Sequence, residues 1–280
     1  MKEIDVKEIT KAVRDMCIEA NHYLSPDMKE ALTNAAAKEE SPLGKQVLSK
    51  LEENLQIAGE DTIPICQDTG MAVFFVELGQ DVHIVGGALE DAINEGVHLG
   101  YTEGFLRKSV VSDPIERVNT KDNTPAIIHY SVVPGDSLKL TVAPKGFGSE
   151  KMSRVFMLKP ADGIEGVKNA ILTAVKDAGP NACPPMVVGV GIGGTFEKCA
   201  LLAKKALLRP VGEHSDIPYV KELEEEMLAK INATGIGPGG LGGTTTALAV
   251  NVLTYPTHIA GLPVGINICC HVNRHASRVL

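Results

Sequence analysis

Six cysteines are the most reactive side chains in this sequence of 280 residues, and their spacing limits what they could do. No two are spaced C-x-x-C, which excludes a zinc ribbon and a thioredoxin-type motif. Cys17 and Cys199 fall in apolar helical patterns that are typical of small core residues. Cys66, Cys183 and Cys270 instead lie at element ends or in loops bounded by Pro and Gly, where backbone N–H groups are free.

Thiolates and sulfides accept hydrogen bonds from free N–H groups, so these three loops could hold an iron–sulfur cluster. Three cysteines would ligate three corners of a 4Fe-4S cube, and the fourth iron would be open to act as a Lewis acid on a substrate. From spacing alone, three buried thiols without a metal are the simpler interpretation.

The elements that must position these loops are predicted from hydrophobic periodicity and from Gly and Pro. Residues 1–60 are predicted to be helical, with Ser25 as the N-cap and Pro26 in the first turn of a second helix. Helices are also predicted at 88–99, 162–178, 195–208 and 217–231, and strands at 71–76, 125–133, 137–142, 186–190, 245–253 and 264–270. The strands between 125 and 142 are expected to pair as a hairpin, and the acidic run at 222–226 is interpreted as a solvated face.

This succession predicts a mixed α/β (α+β) fold in which N-terminal helices precede mixed sheets flanked by helices, with the cysteines on loops. The length favours one large domain over 1–280, with possible lobes at 1–60 and 61–280. Glycine-rich segments at 145–149, 189–194 and 235–243 could bring the backbone close to a cluster or an anion, and turn geometry explains them equally well. The loop at 100–125 is long enough to indicate a function.

Composition and charge exclude several classes of protein. Asp and Glu number 35 against 27 Lys and Arg, a net charge of −8, which argues against a nucleic-acid binder or a membrane-surface binder. No apolar run reaches about 18 residues, and the first residues lack the apolar stretch of a signal peptide. We therefore expect a cytoplasmic protein whose cysteines serve metal binding or catalysis rather than disulfides.

Eight short segments, in order along the chain, give the sequence a family resemblance. They are CQDTG at 66–70, LRKS at 106–109, NTKDNTP at 119–125, KGFGSE at 145–150, ACPP at 182–185, GVGIGG at 189–194, GPGGLGG at 237–243 and CHVNR at 270–274. Together they resemble the iron–sulfur-dependent class I fumarase and L-tartrate dehydratase family, specifically its alpha subunit, which corresponds to the N-terminal domain of single-chain members. The resemblance extends from about residue 10 to the end of the chain.

The resemblance implies that Cys66, Cys183 and Cys270 ligate a 4Fe-4S cluster through three irons and leave one iron open. Cys270 is favoured over Cys269 because the family's last ligand stands four residues before an arginine, here Arg274.

The resemblance also implies roles at the substrate. The implied catalytic residues are Asp68 and His258, and the implied substrate-binding residues are Gln67, Arg107, Lys145, Gly146 and Gly148. An arginine suits a carboxylate because its guanidinium forms a bidentate fork. Structural alternatives are a surface salt bridge for Arg107, an Asx-turn for Asp68 and a core histidine for His258.

Two positions depart from the family pattern. Phe147 stands where the turn usually has the middle Gly of KGGGS, so its Cβ could strain a positive φ or narrow the pocket. His271 follows the last implied ligand, where relatives often have a bulky aromatic residue.

The implied activity is that of a hydro-lyase, the reversible hydration of fumarate to (S)-malate in the tricarboxylic acid cycle, with dehydration of L-tartrate to oxaloacetate as the alternative. A beta subunit would supply further substrate-binding and acid–base residues, so we expect activity only in a heteromer of alpha2beta2 type. Two rival classes are also open. GVGIGG matches the G-x-G-x-x-G of nicotinamide-dependent oxidoreductases, and a structural cluster would make the chain a metal-storage or scaffold subunit.

Overall fold

The computed structural model describes residues 2–280, which fold into two compact units. The first unit comprises Met1–Leu24, Leu55–Gly146 and Arg274–Leu280, and the second comprises Ser25–Asn54 and Phe147–Asn273. Each unit combines helices with a four-stranded sheet, which confirms the predicted mixed α/β class. A single catalytic domain over 1–280 stays a prediction.

In chain order the regular elements are β1 (Lys2–Asp5), α1 (Val6–His22), α2 (Pro26–Lys38), α3 (Pro42–Asp61), β2 (Val73–Gly79), β3 (Val82–Val85), α4 (Leu89–Glu103), β4 (Ile127–Val133), β5 (Leu138–Val142), α5 (Phe147–Glu150), β6 (Arg154–Leu158), α6 (Gly163–Ala178), β7 (Met186–Gly193), α7 (Phe196–Ala206), α8 (Pro218–Asn232), β8 (Ala247–Tyr255), β9 (Leu262–Cys269) and β10 (Ala276–Val279). The strands β1, β3, β6 and β10 have no counterpart among the predictions, because runs of four or five residues carry too little periodicity. Within residues 2–280, no helix is both long and apolar enough to cross a membrane.

The first unit is built on the sheet β10-β5-β2-β4, in which β2 runs parallel to β4 and antiparallel to β5. Asp5 caps the N-terminus of α1, and α1 buries Ile9 and Val13 at helical spacing in a core shared with α4 and the sheet. Gly96 lets α4 approach α1 closely, because a Cβ there would lie 2.5 Å from the Cβ of Val13.

The predicted hairpin between 125 and 142 is wrong in its pairing, although both of its strands exist. β2 lies between β4 and β5, so the two do not pair with each other. The start of β2 is buried on both faces, as Phe74 and Phe75 show, whereas β4 exposes Tyr130 and Val132 and forms an edge. Burial of the apolar run in β2 therefore outweighs the short connection that favoured a local hairpin.

The second unit is built on the sheet β6-β9-β7-β8, in which β7 runs parallel to β8 and antiparallel to β9. The core of this unit joins the sheet to α6 and α8 through buried side chains such as Ile171, Met227, Val190 and Ile266. Asp162 occupies the N-cap position of α6, and its carboxylate accepts a hydrogen bond from Lys159 N at 2.8 Å rather than capping the helix.

The predicted glycine-rich turn at 189–194 is mostly strand, because residues 189–193 belong to β7. A Cβ at Gly189 would lie 2.1 Å from the carbonyl oxygen of Ala203, and one at Gly191 would lie 2.2 Å from that of Cys199. These glycines therefore let α7 pack directly on the strand. A dinucleotide turn needs its glycines between the strand and the helix, so the placement counts against the nicotinamide alternative.

The acidic run at 222–226 is only partly a solvated face. Glu224 is buried and pairs with Arg209, and its carboxylate also accepts hydrogen bonds from the backbone N–H groups of Val252 (2.7 Å) and Ser215 (3.0 Å). The buried carboxylate thus ties the loop before α8 to β8.

Candidate active site

Four segments that carry predicted site residues meet at one end of the first unit's sheet. Residues 66–70 lead into β2, residues 104–126 lead into β4, residues 143–146 follow β5, and Arg274 precedes β10. The register makes these strand ends neighbours, because Val73 pairs with Ile127 and Phe74 pairs with Val142. The predicted residues carried by these segments are Cys66, Gln67, Asp68, Arg107, Lys145 and Gly146.

Asp68 forms the Asx-turn that its sequence context suggested, and this turn orients its carboxylate. Oδ1 accepts a hydrogen bond from the backbone N–H of Gly70 at 3.0 Å. Oδ2 faces Gly146, where an added Cβ would come within 3.1 Å of it. The half-buried carboxylate therefore lies against the Gly146 turn, and a Cβ at residue 146 would displace it slightly.

Arg107 has an exposed side chain that makes no hydrogen bond or ion pair with the rest of residues 2–280, so the surface salt bridge is not observed. Its main chain is fixed instead. The hydroxyl of Thr69 accepts a hydrogen bond from Arg107 N at 2.9 Å and donates one to Arg107 O at 3.3 Å. The guanidinium thus projects into solvent from an anchored backbone.

Lys145 is buried, and its main chain pairs with Met71 through two hydrogen bonds of 2.8 and 3.1 Å. Its ammonium group donates to the carbonyl oxygen of Gly146 at 3.3 Å. Gly70, with a φ of 73°, packs so tightly here that a Cβ would lie 2.5 Å from the carbonyl carbon of Lys145. The segments 66–71 and 143–146 are therefore joined along their backbones.

Arg274 is a buried cation at this sheet end. In the sequence analysis it served only to favour Cys270 over Cys269. Its Nη2 donates to the carbonyl oxygen of Asp68 at 2.5 Å. Within residues 2–280, its Nε and Nη1 have no hydrogen-bond partner although the side chain is only 3% exposed. Buried donors of this kind need an acceptor, which a bound anion or water would supply.

Cys183 and Cys270 lie at the same end of the second unit's sheet. Cys183 precedes β7 and Cys270 follows β9, and the antiparallel register places Val187 opposite Cys269. The two loops touch, because Nδ1 of His271 lies 3.0 Å from the carbonyl oxygen of Cys183. Cys183 itself has a left-handed φ of 51°, a strained conformation for a residue with a Cβ that is often found at functional sites.

Two further segments reach this end of the second sheet. The glycine-rich loop before β8 contacts the Cys183 loop through a hydrogen bond from Gly239 N to Pro184 O at 2.9 Å. The short helix α5, which contains Gly148, is tied to β9 by a 2.7 Å hydrogen bond from Asn267 to the carboxylate of Glu150. The glycine segment 235–243 therefore contacts the loop that carries Cys183. The segment 145–149 leads into the helix that carries Glu150.

His258 lies away from the two cysteines of the second unit. It follows β8 and precedes β9, whereas Cys270 follows β9, a strand of eight residues that spans roughly 26 Å. The imidazole is exposed, and its Nδ1 accepts a hydrogen bond from Ala260 N at 3.2 Å, so the core-histidine alternative is wrong.

The two departures from the family pattern have simple local outcomes. Phe147 begins the short helix α5 with an ordinary negative φ, so its Cβ causes no backbone strain, and its ring is exposed. His271 hydrogen-bonds to the backbone of Cys183 and thereby joins the two cysteine loops of the second unit.

The six cysteines differ in how far solvent reaches their thiols. None of the six cysteines forms a disulfide; Cys66 and Cys270 are half-buried and Cys183 is exposed, whereas Cys17 and Cys199 are fully buried. Across residues 2–280, no group of three or more His, Cys, Asp or Glu side chains that could hold a metal ion is present. A hydrogen bond with the Cys269 thiol, together with burial, raises the pKa of Cys270.

Sequence reasoning missed several residues that hold the site in place. Thr69, Asn123 and Arg274 lie inside the segments that carried the resemblance, but their roles depend on hydrogen bonds between segments far apart in the chain. Tyr101 lies in a helix and gave no signal beyond an apolar position.

The fold and the site define a mixed α/β protein that presents thiols, a carboxylate and a guanidinium on loops at sheet ends. Residues 10–279 match the family model described as fumarate hydratase (Fumerase). A Methanocaldococcus jannaschii protein named "Putative L(+)-tartrate dehydratase subunit alpha" is 43% identical over 96% of this chain and 96% of its own length. Two proteins named L(+)-tartrate dehydratase subunit alpha, from Escherichia coli strains UTI89 and K12, are 30% and 29% identical over 99% of this chain and 92% of their own.

The chain therefore belongs to the fumarate hydratase (Fumerase) family, as its eight segments indicated.

Proposed function

We propose that this chain is the alpha subunit of a 4Fe-4S-dependent hydro-lyase whose reaction is the reversible hydration of fumarate to (S)-malate. One observation carries the proposal: the first unit holds the carboxylate of Asp68 against Gly146 and anchors Arg107 to the same segment. Hydration of a dicarboxylate alkene needs a cation to bind a carboxylate and a group that moves a proton, and these side chains supply both.

The cluster is proposed to be held by Cys66, Cys183 and Cys270, one thiolate to each of three irons. When bound, it would supply an open iron as a Lewis acid for the substrate. The accessible thiols, the left-handed Cys183 loop and the unpartnered donors of Arg274 support the presence of a charged group. An open iron and six cysteines without a disulfide also favour a reducing compartment, hence the proposed cytoplasmic location.

The protein's own side chains divide the remaining work. Arg107 would bind one substrate carboxylate through its bidentate fork, because its guanidinium has no competing partner within residues 2–280. Asp68 would carry the proton on its carboxylate, which faces Gly146. Gln67, an exposed neighbour, would hydrogen-bond to a substrate oxygen.

Lys145, Gly146 and Gly148 would bind the substrate anion more indirectly. The buried Lys145 ammonium adds positive charge next to Gly146. At Gly148 an added Cβ would meet only Asn181 O, at 4.0 Å, so space does not require glycine there and its backbone N–H is the group that would matter.

His258 is proposed as a catalytic residue on the resemblance, and its placement restricts how it could act. A strand of roughly 26 Å separates it from Cys270 in the same unit. Contact with a substrate held near Cys183 and Cys270 would therefore come from His258 of a second copy, which suits the proposed alpha2beta2 assembly.

L-Tartrate is the second candidate substrate, and one observation favours it: the relatives described above carry that substrate in their names. Fumarate and tartrate both have two carboxylates on a four-carbon chain, so the guanidinium of Arg107 would bind a carboxylate of either one.

The names of the relatives also include "subunit alpha", which supports a beta-subunit partner for this chain. The partner is proposed to supply the remaining substrate cations and acid–base groups.

The test is to co-express the chain with the subunit encoded next to it, purify the complex without oxygen, and assay fumarate and L-tartrate side by side. We expect faster turnover of fumarate, and none by the alpha chain alone. Turnover of L-tartrate alone would assign L-tartrate instead of fumarate as the substrate. Turnover of neither compound would refute the proposed function. Activity of the isolated alpha chain would refute the need for a partner.

A further inference from the structure

Two loops of the first unit carry the residues proposed to meet the substrate, and a single buried hydroxyl joins them. Thr69 is 1% exposed and lies 38 positions before Arg107 in the chain. Its Oγ1 accepts from Arg107 N at 2.9 Å and donates to Arg107 O at 3.3 Å. We name this pair of hydrogen bonds the Thr69 clamp. Both polar backbone groups of Arg107 are thus satisfied by one side chain.

A second side chain joins the same two loops next to the clamp. Asn123 is fully buried, and its amide oxygen accepts from Ser109 N at 2.7 Å and Val110 N at 3.2 Å. Its amide nitrogen donates to Gly70 O at 3.1 Å. The amide of Asn123 offers an acceptor oxygen and a donor nitrogen on opposite sides of one group, and Asn also tolerates the left-handed φ of 64° found here.

The hydroxyl of Tyr101 supports the loop that contains Thr69. It donates to Thr69 O at 2.9 Å and to Gly70 O at 3.1 Å. Burial raises the pKa of Tyr101, so the hydroxyl remains a donor at any pH at which the protein works. Thr69 is therefore fixed at its main chain, and the clamp transfers that fixed position to Arg107.

Arg107 needs such support because, within residues 2–280, it makes no hydrogen bond outside the Thr69 clamp. It lies between the end of α4 and β4, outside any helix or strand, and its guanidinium has no partner within residues 2–280. A shift of about 1 Å in a substrate-positioning group can cost roughly 100-fold in rate. The position of the fork relative to Gln67 and Asp68 then depends on the backbone at residue 107.

We propose that Thr69 is a positioning residue that holds the Arg107 backbone in register with Gln67 and Asp68 through the Thr69 clamp. The inference rests on the proposed function for the role of Arg107, whereas the clamp itself rests on the hydrogen bonds. Arg107 and Asp68 would then meet the substrate carboxylate and the reacting carbon in one fixed geometry. Asn123 is a second link between the two loops that carry these residues.

The test compares Thr69→Val, which keeps the shape and removes the hydroxyl, with Thr69→Ser, which keeps the hydroxyl. Hydrogen–deuterium exchange at the Arg107 amide is measured in the full complex, together with KM and kcat for fumarate and L-tartrate. In Thr69→Val we expect exchange at least about tenfold faster and KM raised roughly tenfold, with kcat changed less. Thr69→Ser should restore most of both. The control is Thr10→Val, which removes a hydroxyl bonded to Ala92 O in the same unit.

A double variant shows whether Thr69 acts through Arg107. In an Arg107→Ala background, Thr69→Val should add little to the loss of kcat/KM, because the group it positions is gone. Losses of kcat/KM that multiply in the double variant would overturn the inference. The same holds if Thr69→Ser lowers activity as much as Thr69→Val does.

Failure of the proposed function is distinguishable from failure of the clamp. A complex that hydrates neither substrate refutes the function, and the exchange experiment still decides the clamp. In the unaltered protein the Arg107 amide should exchange more slowly than expected for an exposed loop. A fast-exchanging Arg107 amide would overturn the clamp even if the Thr69 variants do not fold.

Discussion

Arg107 and Asp68 divide the chemistry proposed for this site between an anion clamp and a proton carrier. The exposed guanidinium is free to bind a carboxylate, and the half-buried Asp68 carboxylate is oriented by Gly70 and faces Gly146. Each can be tested by a change that keeps the shape of the side chain and alters one property.

Arg107→Lys keeps the positive charge and removes the bidentate fork. We expect kcat/KM for the substrate to fall roughly 10- to 100-fold, mainly through KM, because a planar two-bond contact becomes a point charge. Arg117→Lys, in the same loop, is the matched control, since its guanidinium only approaches Pro114 O at 3.5 Å. Equal effects of the two variants on steady-state kinetics would remove Arg107 from the substrate site.

Asp68→Asn keeps an acceptor for the Asx-turn and removes the ability to carry a proton. We expect kcat to fall roughly 10²- to 10⁴-fold while bound iron stays unchanged. Asp113→Asn is the control, because that half-buried carboxylate accepts hydrogen bonds from Ile115 N and Glu116 N in the same kind of turn. A kcat within about threefold of the unaltered enzyme would assign the proton transfer to another group.

Much of the site could be predicted from short segments, because thiols, carboxylates and arginines keep their chemistry wherever they lie. The supporting roles of Thr69 and Arg274 could not be predicted, since each depends on a hydrogen bond across 38 or 206 positions in the chain. The residues that neighbour Thr69 and Arg274 in the sequence do not indicate which distant residues they contact.

Helices, strands and loops explain where these side chains meet. β2 lies between β4 and β5, so the segments before β2, before β4 and after β5 share one sheet end. The periodicity of the sequence predicted the elements, but it favoured a hairpin because the connection between β4 and β5 is short. The glycines of β7 were likewise ambiguous, since close packing against α7 and a turn both call for glycine.

Glu39 fixes the glycine-rich loop before β8, and the effect of its charge on stability can be measured. Burial raises the pKa of Glu39, but hydrogen bonds from Thr244, Ser41 and Thr245 outweigh burial and bring the pKa to about 2. Since the pKa is lower in the folded state, its contribution to stability is present above an unfolded value near 4.5 and is lost as pH falls toward about 2.

Glu39→Gln should therefore lower the free energy of unfolding at neutral pH by about 1–3 kcal/mol, as measured by urea denaturation of the full chain. The difference from the unaltered protein should shrink between about pH 4.5 and pH 2. The exposed neighbour gives a control, Glu40→Gln, which should change little. A difference that is absent at neutral pH, or that persists unchanged at pH 2, would contradict the role assigned to Glu39.

At the scale of the whole molecule, His258 and Cys270 lie at opposite ends of β9. We expect the site to need more than one polypeptide, a beta subunit for further substrate groups and a second alpha chain for His258. The sequence placed His258 twelve residues before Cys270, but spacing in a strand measures length along the sheet rather than proximity.

Complementation tests this arrangement. Complexes that contain only Arg107→Ala chains or only His258→Ala chains should have low activity. If His258 serves the site of another copy, mixed complexes with one chain of each type regain one intact site and up to about half of the activity. No gain in the mixed complexes would refute the action between copies, and full activity of His258→Ala alone would refute any catalytic role for His258.

The most direct measurement of the central claim is the iron bound by the anaerobically purified complex when single cysteines are replaced. We expect about four irons per alpha chain in the unaltered complex and in Cys199→Ala, and loss of iron together with fumarate hydration in Cys66→Ala, Cys183→Ala and Cys270→Ala. Loss in Cys269→Ala but not in Cys270→Ala would change the third ligand. Iron and activity retained in all three proposed ligand variants would contradict a cluster-dependent hydro-lyase.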